Sequence, residues 1–322
     1  MTTVPKRPPF DVELSAVLAM LGDEVHPSIT IEMLEEMRVA QTSQPVAELI
    51  AGRPIEHLER LILGPDGAPD IVISIFRRTD HVPGGPGFYH THGGGMIMGD
   101  RFYGIEVVLD WVHNLDAVVV TVEYRLAPEH PDPAPVDDCY TGLVWMANNA
   151  DELGFDTRRL VIVGGSAGGG LAAGVSLMAR DKRGPSLAGQ VLIYPMLDDR
   201  NHTVSSHQIV GEGIWDRISN DTGWDALLGD RRKTDSVSIY AAPSRATDLS
   251  DLPPAYIEVG SAEVFRDEDV AYASAIWASG GSAELHVWPG AFHGYDLAAP
   301  QAALSVLSRE TRTKWVRRTL GI

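Results

Sequence analysis

The sequence places one serine inside a glycine-rich run, VIVGGSAGGGLAAG, at residues 161–174. Gly164, Ser166 and Gly168 satisfy the pattern G-x-S-x-G, and an apolar run typical of a strand comes directly before the serine. This pattern holds a serine in a strained turn between a strand and a helix, where its hydroxyl is exposed at the positive end of the helix. Only small residues fit two positions before and after such a serine. Ser166 is therefore the candidate nucleophile.

Two other interpretations of these glycines fit the sequence less well. A phosphate-binding loop requires G-x-x-x-x-G-K-[ST], and the required lysine is not present in the run. A dinucleotide fingerprint could be drawn from Gly168, Gly170 and Ala173, but its first glycine should directly follow the strand. We expect the glycines after Gly168 to allow close packing of a helix against a sheet.

A serine hydroxyl needs a general base, and the sequence contains 11 histidines. In sheets of this type the chain order is serine, acid, histidine. His293, in WPGAFHGYD, stands in a loop directly after a late strand and fits this order. Other histidines fit poorly because they precede the serine, fall in a polar insertion or lie within a strand; they are His26, His57, His81, His113, His130, His202, His207 and His286.

The acid that orients the histidine should follow the strand PAYIEVG, in the stretch SAEVFRDEDV. Glu263 is the first carboxylate of this stretch, and its long side chain can still reach an imidazole. Asp267 and Glu268 come one turn later, where the N-terminus of a helix favours negative charge. We favour Glu263 as the acid and keep Asp267 as the alternative.

A third group of residues suits the stabilisation of an oxyanion. Acyl transfer builds negative charge on a carbonyl oxygen, and each preorganised N–H donor there contributes about 3 kcal/mol. In YHTHGGGMIMGD, three successive glycines at residues 93–95 follow a strand at the place where such donors are found. The backbone N–H of Ala167, next to the serine, would complete the oxyanion hole.

Two histidines and one cysteine raise the question of a metal site. His90 and His92 could form a His-x-His pair, but no third ligand is spaced to match. We expect His92 instead to brace the glycine loop by hydrogen bonds. Cys139, the one cysteine, begins a helical stretch and is expected to be a buried structural thiol. We predict no metal and no organic cofactor.

Four stretches of the chain together resemble the hormone-sensitive-lipase-like (bacterial family IV) branch of the α/β-hydrolases, which includes many bacterial carboxylesterases. They are HTHGGGMIMGD, VEYRLAPEHPDPAPVDDCY, GGSAGGGLA and GAFHGYD. A fifth stretch, SIYAAPSRATDLSDLPPAYIEVG, is similar to the heroin and acetyl esterases of bacteria. The resemblance runs from about residue 60 to the end of the sequence.

The resemblance implies an α/β-hydrolase core under a helical cap, with Ser166 as nucleophile and His293 as base. It also implies the parts of the oxyanion hole, namely N–H donors at Gly94, Gly95 and Ala167, with Gly93 shaping the loop.

The chain departs from the family pattern at three places. The usual acid motif is D-P-L-x-D-E, and Glu263 stands where the family has its catalytic aspartate. Gly165 stands where an aspartate often precedes the nucleophile, and Met96 stands where a large aromatic residue often follows the glycines. These departures could reshape the acyl pocket. Its wall should include some of Trp215, Trp224, Met96 and Phe102, which no spacing argument ranks.

These residues need a scaffold, and the pattern of the chain predicts one. Apolar strands alternate with helices, which predicts an α/β fold with a mostly parallel central sheet covered by helices on both faces. A Pro-Asp-Gly turn near residue 66 predicts a hairpin at its start. We expect the catalytic core at 51–197 and 237–322. Helices at 1–50 and an inserted segment at 198–236 should form a cap over the carboxyl end of the sheet.

Composition excludes several classes of partner. The 322 residues are 44% apolar, which is enough for a sizeable core. Lys and Arg number 26 against 44 Asp and Glu, and the resulting charge of −18 argues against nucleic acid and against an anionic membrane. The sequence contains no apolar run of the roughly 18 residues that a membrane span needs and no signal-peptide pattern, so we expect a cytoplasmic protein.

The residues and the resemblance together predict a serine carboxylesterase for small, short-acyl esters. The same three residues would serve an amidase, a deacetylase or a lactone hydrolase equally well. A non-catalytic ligand-binding protein of this fold is the third alternative, although such proteins arise by loss of the histidine. The physiological ester and the oligomeric state stay open, with a homodimer as one possibility.

Overall fold

Eight strands form one sheet in the structure, a computed structural model that describes residues 6–22 and 25–322. The strands are β1 (Ile55–Ile62), β2 (Ile71–Arg78), β3 (Gly85–Thr91), β4 (Val118–Val122), β5 (Phe155–Gly165), β6 (Gly189–Ile193), β7 (Ala255–Gly260) and β8 (Ala283–Trp288). Their order in the sheet is β1-β2-β4-β3-β5-β6-β7-β8. Residues 1–5 and 23–24, which belong to the predicted N-terminal cap, lie outside the described residues.

The direction of the strands confirms the prediction of a mostly parallel sheet. β2 pairs antiparallel with β1 and β4, and every other pairing in the sheet is parallel. Ile62 pairs with Ile71 at the closed end of the β1–β2 pair, so the hairpin expected at the Pro-Asp-Gly turn is also confirmed. β4 and β6 are buried along their whole length, as central strands covered on both faces must be.

Twelve helices accompany the sheet in the part of the chain that the structure describes. They are α1 (Val12–Leu21), α2 (Leu34–Ala40), α3 (Val46–Leu49), α4 (Glu106–Leu115), α5 (Ala134–Asn148), α6 (Ala150–Leu153), α7 (Ala167–Asp181), α8 (Val204–Gln208), α9 (Arg217–Leu228), α10 (Arg266–Ala278), α11 (Tyr295–Ala298) and α12 (Ala303–Leu320). Cys139 lies on α5 and is buried, as expected. The helices described lack the combination of length and apolar character that crossing a membrane demands.

The glycines of α7 bring this helix against the backbone of its neighbours. A Cβ atom at Gly168 would overlap the carbonyl oxygen of Thr91 in β3. A Cβ at Gly170 would meet the carbonyl oxygen of Met196 in the same way. Gly168 therefore allows close packing of the helix against the sheet, whereas Gly170 allows its approach to the loop that follows β6.

The N-terminal segment and the inserted segment at 198–236 contact each other. Ser219 at the start of α9 accepts a hydrogen bond from the backbone N–H of Ile29 at 2.7 Å and donates one to the carbonyl oxygen of Pro27 at 2.6 Å. The hydroxyl of Ser28 donates to the carboxylate of Asp216 at 2.6 Å. These bonds join two segments that the sequence separates by almost two hundred positions.

Candidate active site

The carboxyl ends of four parallel strands bring the predicted site residues to one edge of the sheet. Ser166 directly follows β5, residues 93–95 follow β3, Glu263 follows β7 and His293 follows β8. Parallel strands end at the same edge, so residues that are far apart in the sequence meet there.

The backbone around Ser166 is a tight turn. Ser166 has φ of 59° and ψ of −125°, a conformation that residues with a side chain rarely adopt. Its N–H donates to the carbonyl oxygen of Ile193 at 2.9 Å, and its carbonyl oxygen accepts from Met196 at 2.9 Å. A Cβ atom at Gly164 would lie 2.6 Å from the hydroxyl oxygen of Thr91. The packing of β5 against β3 thus requires the glycine that opens the G-x-S-x-G pattern.

Three side chains form a hydrogen-bonded chain at this turn. His293 Nε2 lies 2.9 Å from Ser166 Oγ, and His293 Nδ1 lies 2.7 Å from Glu263 Oε2. The Glu263 carboxylate accepts, so Nδ1 carries the proton and Nε2 is free to accept from the serine hydroxyl. All three residues are nearly completely buried, with relative residue exposures of 8% for Ser166, 6% for His293 and 1% for Glu263. The arrangement can transfer the serine proton to the imidazole.

Burial has the largest effect on the pKa of the Glu263 carboxyl. It raises the pKa of this carboxyl above its ordinary value, while the neighbouring His293 works in the opposite direction. Oε1 of Glu263 is buried and has no hydrogen-bond partner among the described residues. The negative charge of Glu263 is therefore directed at His293 through a single oxygen.

The alternative acid, Asp267, faces another part of the molecule. One of its oxygens accepts from Arg266 at 2.8 Å, and the other accepts from the backbone N–H of Ser205 in α8 at 2.8 Å. Glu268 accepts from the backbone N–H groups of Leu197 at 2.8 Å and Asp198 at 3.1 Å. The structure thus brings Glu263 to His293, whereas Asp267 connects α10 to the inserted segment.

Asp269 follows Glu268 on α10, and its burial predicts how the stability of the protein changes with pH. Burial, with Glu268 and Glu263 adding to it, raises its pKa well above the ordinary value, and neither carboxyl oxygen has a partner among the described residues. The unfolded chain loses this proton near an ordinary pKa of about 4, whereas the folded chain retains it. The contribution of Asp269 to the free energy of unfolding should therefore fall as pH rises above that value.

We expect Asp269→Asn to gain stability relative to the wild type between about pH 5 and about pH 8, because the amide cannot ionise. Urea unfolding at the two pH values measures this difference. Asp267→Asn is the control: burial opposes the charge of Asp267, but the bonds from Arg266 and Ser205 outweigh this effect and lower the pKa. Asp267 is therefore ionised in both the folded and the unfolded chain above about pH 5, and its replacement should change stability equally at the two pH values. A pH-independent difference for Asp269→Asn would contradict the prediction.

The glycine loop after β3 lies against the serine turn. Gly94 and Gly95 have φ of 105° and 65°, which glycine adopts without strain. A Cβ atom at Gly93 would be 3.5 Å from the Cβ of Ser166. Within the described residues, the N–H groups of Gly94, Gly95 and Ala167 make no hydrogen bond to the protein. They are available as donors beside the serine, as an oxyanion hole requires.

His92 and His90 are bonded to the protein. His92 Nδ1 donates to the carbonyl oxygen of Gly93 at 2.8 Å, and its ring stacks on Tyr124 with centroids 4.0 Å apart. His90 Nδ1 lies 2.9 Å from the hydroxyl of Thr121. Burial lowers the pKa of His92 to about 4 and that of His90 to about 3, so both rings are neutral. No group of residues suited to a metal ion occurs in the chain as described.

The inserted segment reaches the glycine loop directly. A Cβ atom at Gly95 would overlap the ring of Trp215. On α9, a Cβ atom at Gly223 would lie only 2.9 Å from the carbonyl oxygen of Gly95. The position of the glycine loop therefore depends on how closely α9 approaches it.

We expect Gly223→Ala to lower kcat about ten- to a hundredfold, because the new methyl group would push against the Gly95 peptide and misplace a donor. Alanine favours the helix by about 1 kcal/mol, whereas the close contact with the Gly95 carbonyl oxygen opposes this gain. Thermal melting must therefore show that the variant is folded at the temperature of the assay. Steady-state kinetics and thermal melting test both effects, with Thr222→Ala on the same helix as control. Unchanged kcat in Gly223→Ala would show that the loop position tolerates a shift of α9.

A mostly apolar cavity of about 290 Å³ opens beside Ser166. Its apolar walls come from four separate segments and include Ile29, Met98, Val107, Ile214, Trp215 and Leu297. Of the wall residues proposed from the sequence, Trp215 lines this cavity, while Phe102 lines a second one. Met96 and Trp224 are buried without lining either.

A second cavity, of about 640 Å³, adjoins the first. The two share part of their lining, namely Gln41, Tyr103, Gly104, Val107 and Leu297. Its other walls are more polar and include Arg53, Glu106 and Arg309. Oε1 of Gln41 is buried and finds no partner in the described structure. Sequence reasoning did not identify Gln41 or Tyr194 as lining residues, because neither carries a motif.

The strand order and the strand–turn–helix around Ser166 define the molecule as an α/β-hydrolase. A family model for the alpha/beta hydrolase fold matches residues 88–297 of the chain. Carboxylesterase NlhH of Mycobacterium tuberculosis is 34% identical over 299 residues, which are 90% of this chain and 92% of that protein. Esterase LipI of the same organism is 35% identical over 212 residues, 65% of each chain.

Solved structures agree with these relatives. The structure of a bacterial heroin esterase has 37% sequence identity and a TM-score of 0.89, and the match covers 97% of this chain and 98% of that chain. Esterase LipW from Mycobacterium marinum has 28% identity and a TM-score of 0.86, with 98% of each chain covered. The chain therefore belongs to the α/β-hydrolase superfamily, in its hormone-sensitive-lipase-like branch.

Proposed function

We propose that the protein is a serine carboxylesterase that cleaves short-acyl esters. The observation that carries the proposal is the hydrogen-bonded chain Ser166–His293–Glu263, which faces the apolar cavity. The relatives and solved structures named above, which are carboxylesterases and esterases, support the same reaction.

In the proposed reaction, His293 Nε2 takes the proton of Ser166 as Oγ attacks the ester carbonyl carbon. The oxyanion of the tetrahedral intermediate accepts hydrogen bonds from Gly94, Gly95 and Ala167. His293 then gives the proton to the departing alcohol, and the acyl group stays on Ser166. Water, deprotonated by His293, attacks the acyl-enzyme and releases the carboxylic acid. Glu263 keeps the imidazole in the tautomer that can accept a proton and stabilises its positive charge.

The two cavities suggest how the halves of the ester are accommodated. A volume of about 290 Å³ with apolar walls suits a short acyl chain. The adjoining cavity of about 640 Å³, with the unpaired Gln41 carbonyl and charged side chains, suits a larger and more polar alcohol. Segments 1–50 and 198–236 contribute wall residues such as Ile29 and Trp215, which supports their role as a cap.

A series of p-nitrophenyl esters from acetyl to palmitoyl tests the proposal. We expect acetyl and butyryl esters to be cleaved and the rate to fall steeply for longer acyl chains, since the first cavity limits their length. Efficient turnover of emulsified long-chain triglycerides would contradict the short-acyl specificity. Comparison with p-nitroacetanilide and a small lactone tests the chemistry itself. Faster cleavage of the amide or the lactone than of p-nitrophenyl acetate would replace the ester assignment.

A further inference from the structure

A buried network of charged side chains, which the proposed reaction does not use, lies behind the His293 loop. Its members are Arg312 of α12, Glu258 of β7 and Asp296 of α11, and relative exposure is 2% or less for each. Arg312 Nε donates to Glu258 Oε1 at 2.8 Å, and Arg312 Nη2 donates to Asp296 Oδ2 at 2.8 Å. Burial by itself would lower the pKa of Arg312. The negative charges of Glu258 and Asp296 together have the larger effect, and the pKa of Arg312 is raised well above its ordinary value.

Two tyrosine hydroxyls also donate hydrogen bonds to the carboxylates of this network. The hydroxyl of Tyr256 donates to Glu258 Oε2 at 2.9 Å, and the hydroxyl of Tyr194 donates to Asp296 Oδ1 at 2.8 Å. Burial, reinforced by Asp296, raises the pKa of Tyr194 well above its ordinary value, so its hydroxyl remains a donor. Both bonds end on buried carboxylates, where a lost partner is costly.

Tyr194 differs from Tyr256 in what its ring contacts. The Tyr194 ring meets the His293 ring at a centroid distance of 4.8 Å and an interplanar angle of 69°. The ring of Tyr256 packs instead on His286 and Trp315. Tyr194 also has φ of 36°, in the left-handed region, and its N–H donates to the carbonyl oxygen of Glu258 at 2.6 Å. The backbone of Tyr194 is thus bonded to Glu258 and its hydroxyl to Asp296, two residues of the network.

We propose that Tyr194 is a positioning residue for His293, held in place by the Glu258–Asp296–Arg312 network. The bond to Asp296 fixes the Tyr194 ring, and the ring limits rotation of the imidazole. Nε2 therefore stays at 2.9 Å from Ser166 Oγ, where proton transfer requires it. A misplacement of about 1 Å can lower a rate about a hundredfold, so even a small shift of the His293 imidazole should slow the proton transfer. This inference rests on the proposed function, since it concerns the same proton transfer.

Tyr194→Phe and Tyr256→Phe form a matched pair for the test. Each removes one hydroxyl that bonds to a buried carboxylate of the same network. Glu258 Oε2 keeps a hydrogen bond from Trp288 Nε1 at 2.9 Å, so Tyr256→Phe should cost the smaller part of the thermal stability, and both variants are assayed below their melting temperatures. We expect Tyr194→Phe to lower kcat for p-nitrophenyl acetate about tenfold, with KM within about twofold of the wild type. Tyr256→Phe should leave kcat within about twofold, because its ring does not contact His293.

A second readout separates this inference from the ester assignment. A fluorophosphonate labels a serine when Oγ bonds to phosphorus, fluoride leaves and the histidine takes the proton. We expect labelling of Ser166 to slow about tenfold in Tyr194→Phe and not in Tyr256→Phe. If the wild type cleaves no ester but is labelled, the proposed function fails and the labelling rates still decide the role of Tyr194. Equal kcat and labelling rates in the two variants, or no labelling of the wild type, would overturn the inference.

Discussion

Replacement of Ser166 by alanine is expected to lower kcat/KM for p-nitrophenyl acetate by about a thousandfold or more. The alanine removes the oxygen that attacks the carbonyl carbon, while the oxyanion donors at Gly94, Gly95 and Ala167 and both cavities remain. The residual rate should then come from binding and the oxyanion hole alone. Fluorophosphonate labelling should be lost together with the esterase activity.

Ser176→Ala provides the control for this experiment. Ser176 is buried on the same helix, α7, and donates to the carbonyl oxygen of Ala172 at 2.8 Å. Its replacement removes a hydroxyl of the same kind and costs a helix-internal bond, but the side chain does not line the cavity. A Ser166→Ala variant that kept wild-type activity would show that the hydrolysis comes from another residue or from a contaminant.

Replacement of Glu263 by glutamine is expected to lower kcat about a thousand- to ten-thousandfold. The amide has the same shape but can donate to His293 Nδ1, and an imidazole that accepts there carries its proton on Nε2. It then cannot accept the proton of Ser166. KM should change little, because Glu263 is buried behind the histidine and does not line the cavity.

Asp267→Asn is the matched change for the alternative acid. Asp267 is bonded to Arg266 and Ser205, so its neutralisation should leave kcat within a few-fold of the wild type. Kinetics of the two variants under the same conditions compare the two carboxylates directly. A large loss in Asp267→Asn with a small loss in Glu263→Gln would reverse the assignment.

Much of the scaffold can be predicted from short stretches of the sequence. Apolar strands such as VVVTV at 118–122 must be covered on both faces, and this requirement predicts a parallel sheet whose carboxyl ends meet. The position of Ser166 between a strand and a glycine-rich helix depends on residues within four positions of it. The hairpin between β1 and β2 follows from a turn signal and two short β-rich runs in the same way.

The partners of these residues were decided by the tertiary structure. From the sequence, Glu263 and Asp267 were both available as acids, because both follow β7 within a few positions. The direction of the chain at the start of α10 determines that Glu263 contacts His293 while Asp267 contacts α8. A difference of one helical turn therefore separates the two carboxylates, and sequence patterns do not resolve it.

The cavity and the network behind His293 also lie beyond what sequence alone determines. Trp215 meets Gly95, and Tyr194 connects His293 to Arg312, across separations of about a hundred positions or more. Such contacts arise when the sheet and the segment at 198–236 pack together, and no local periodicity encodes them. The sequence by itself determined the strand–turn–helix, the order of the candidate residues and the sheet, because these depend on near neighbours. The tertiary structure decided which side chains touch.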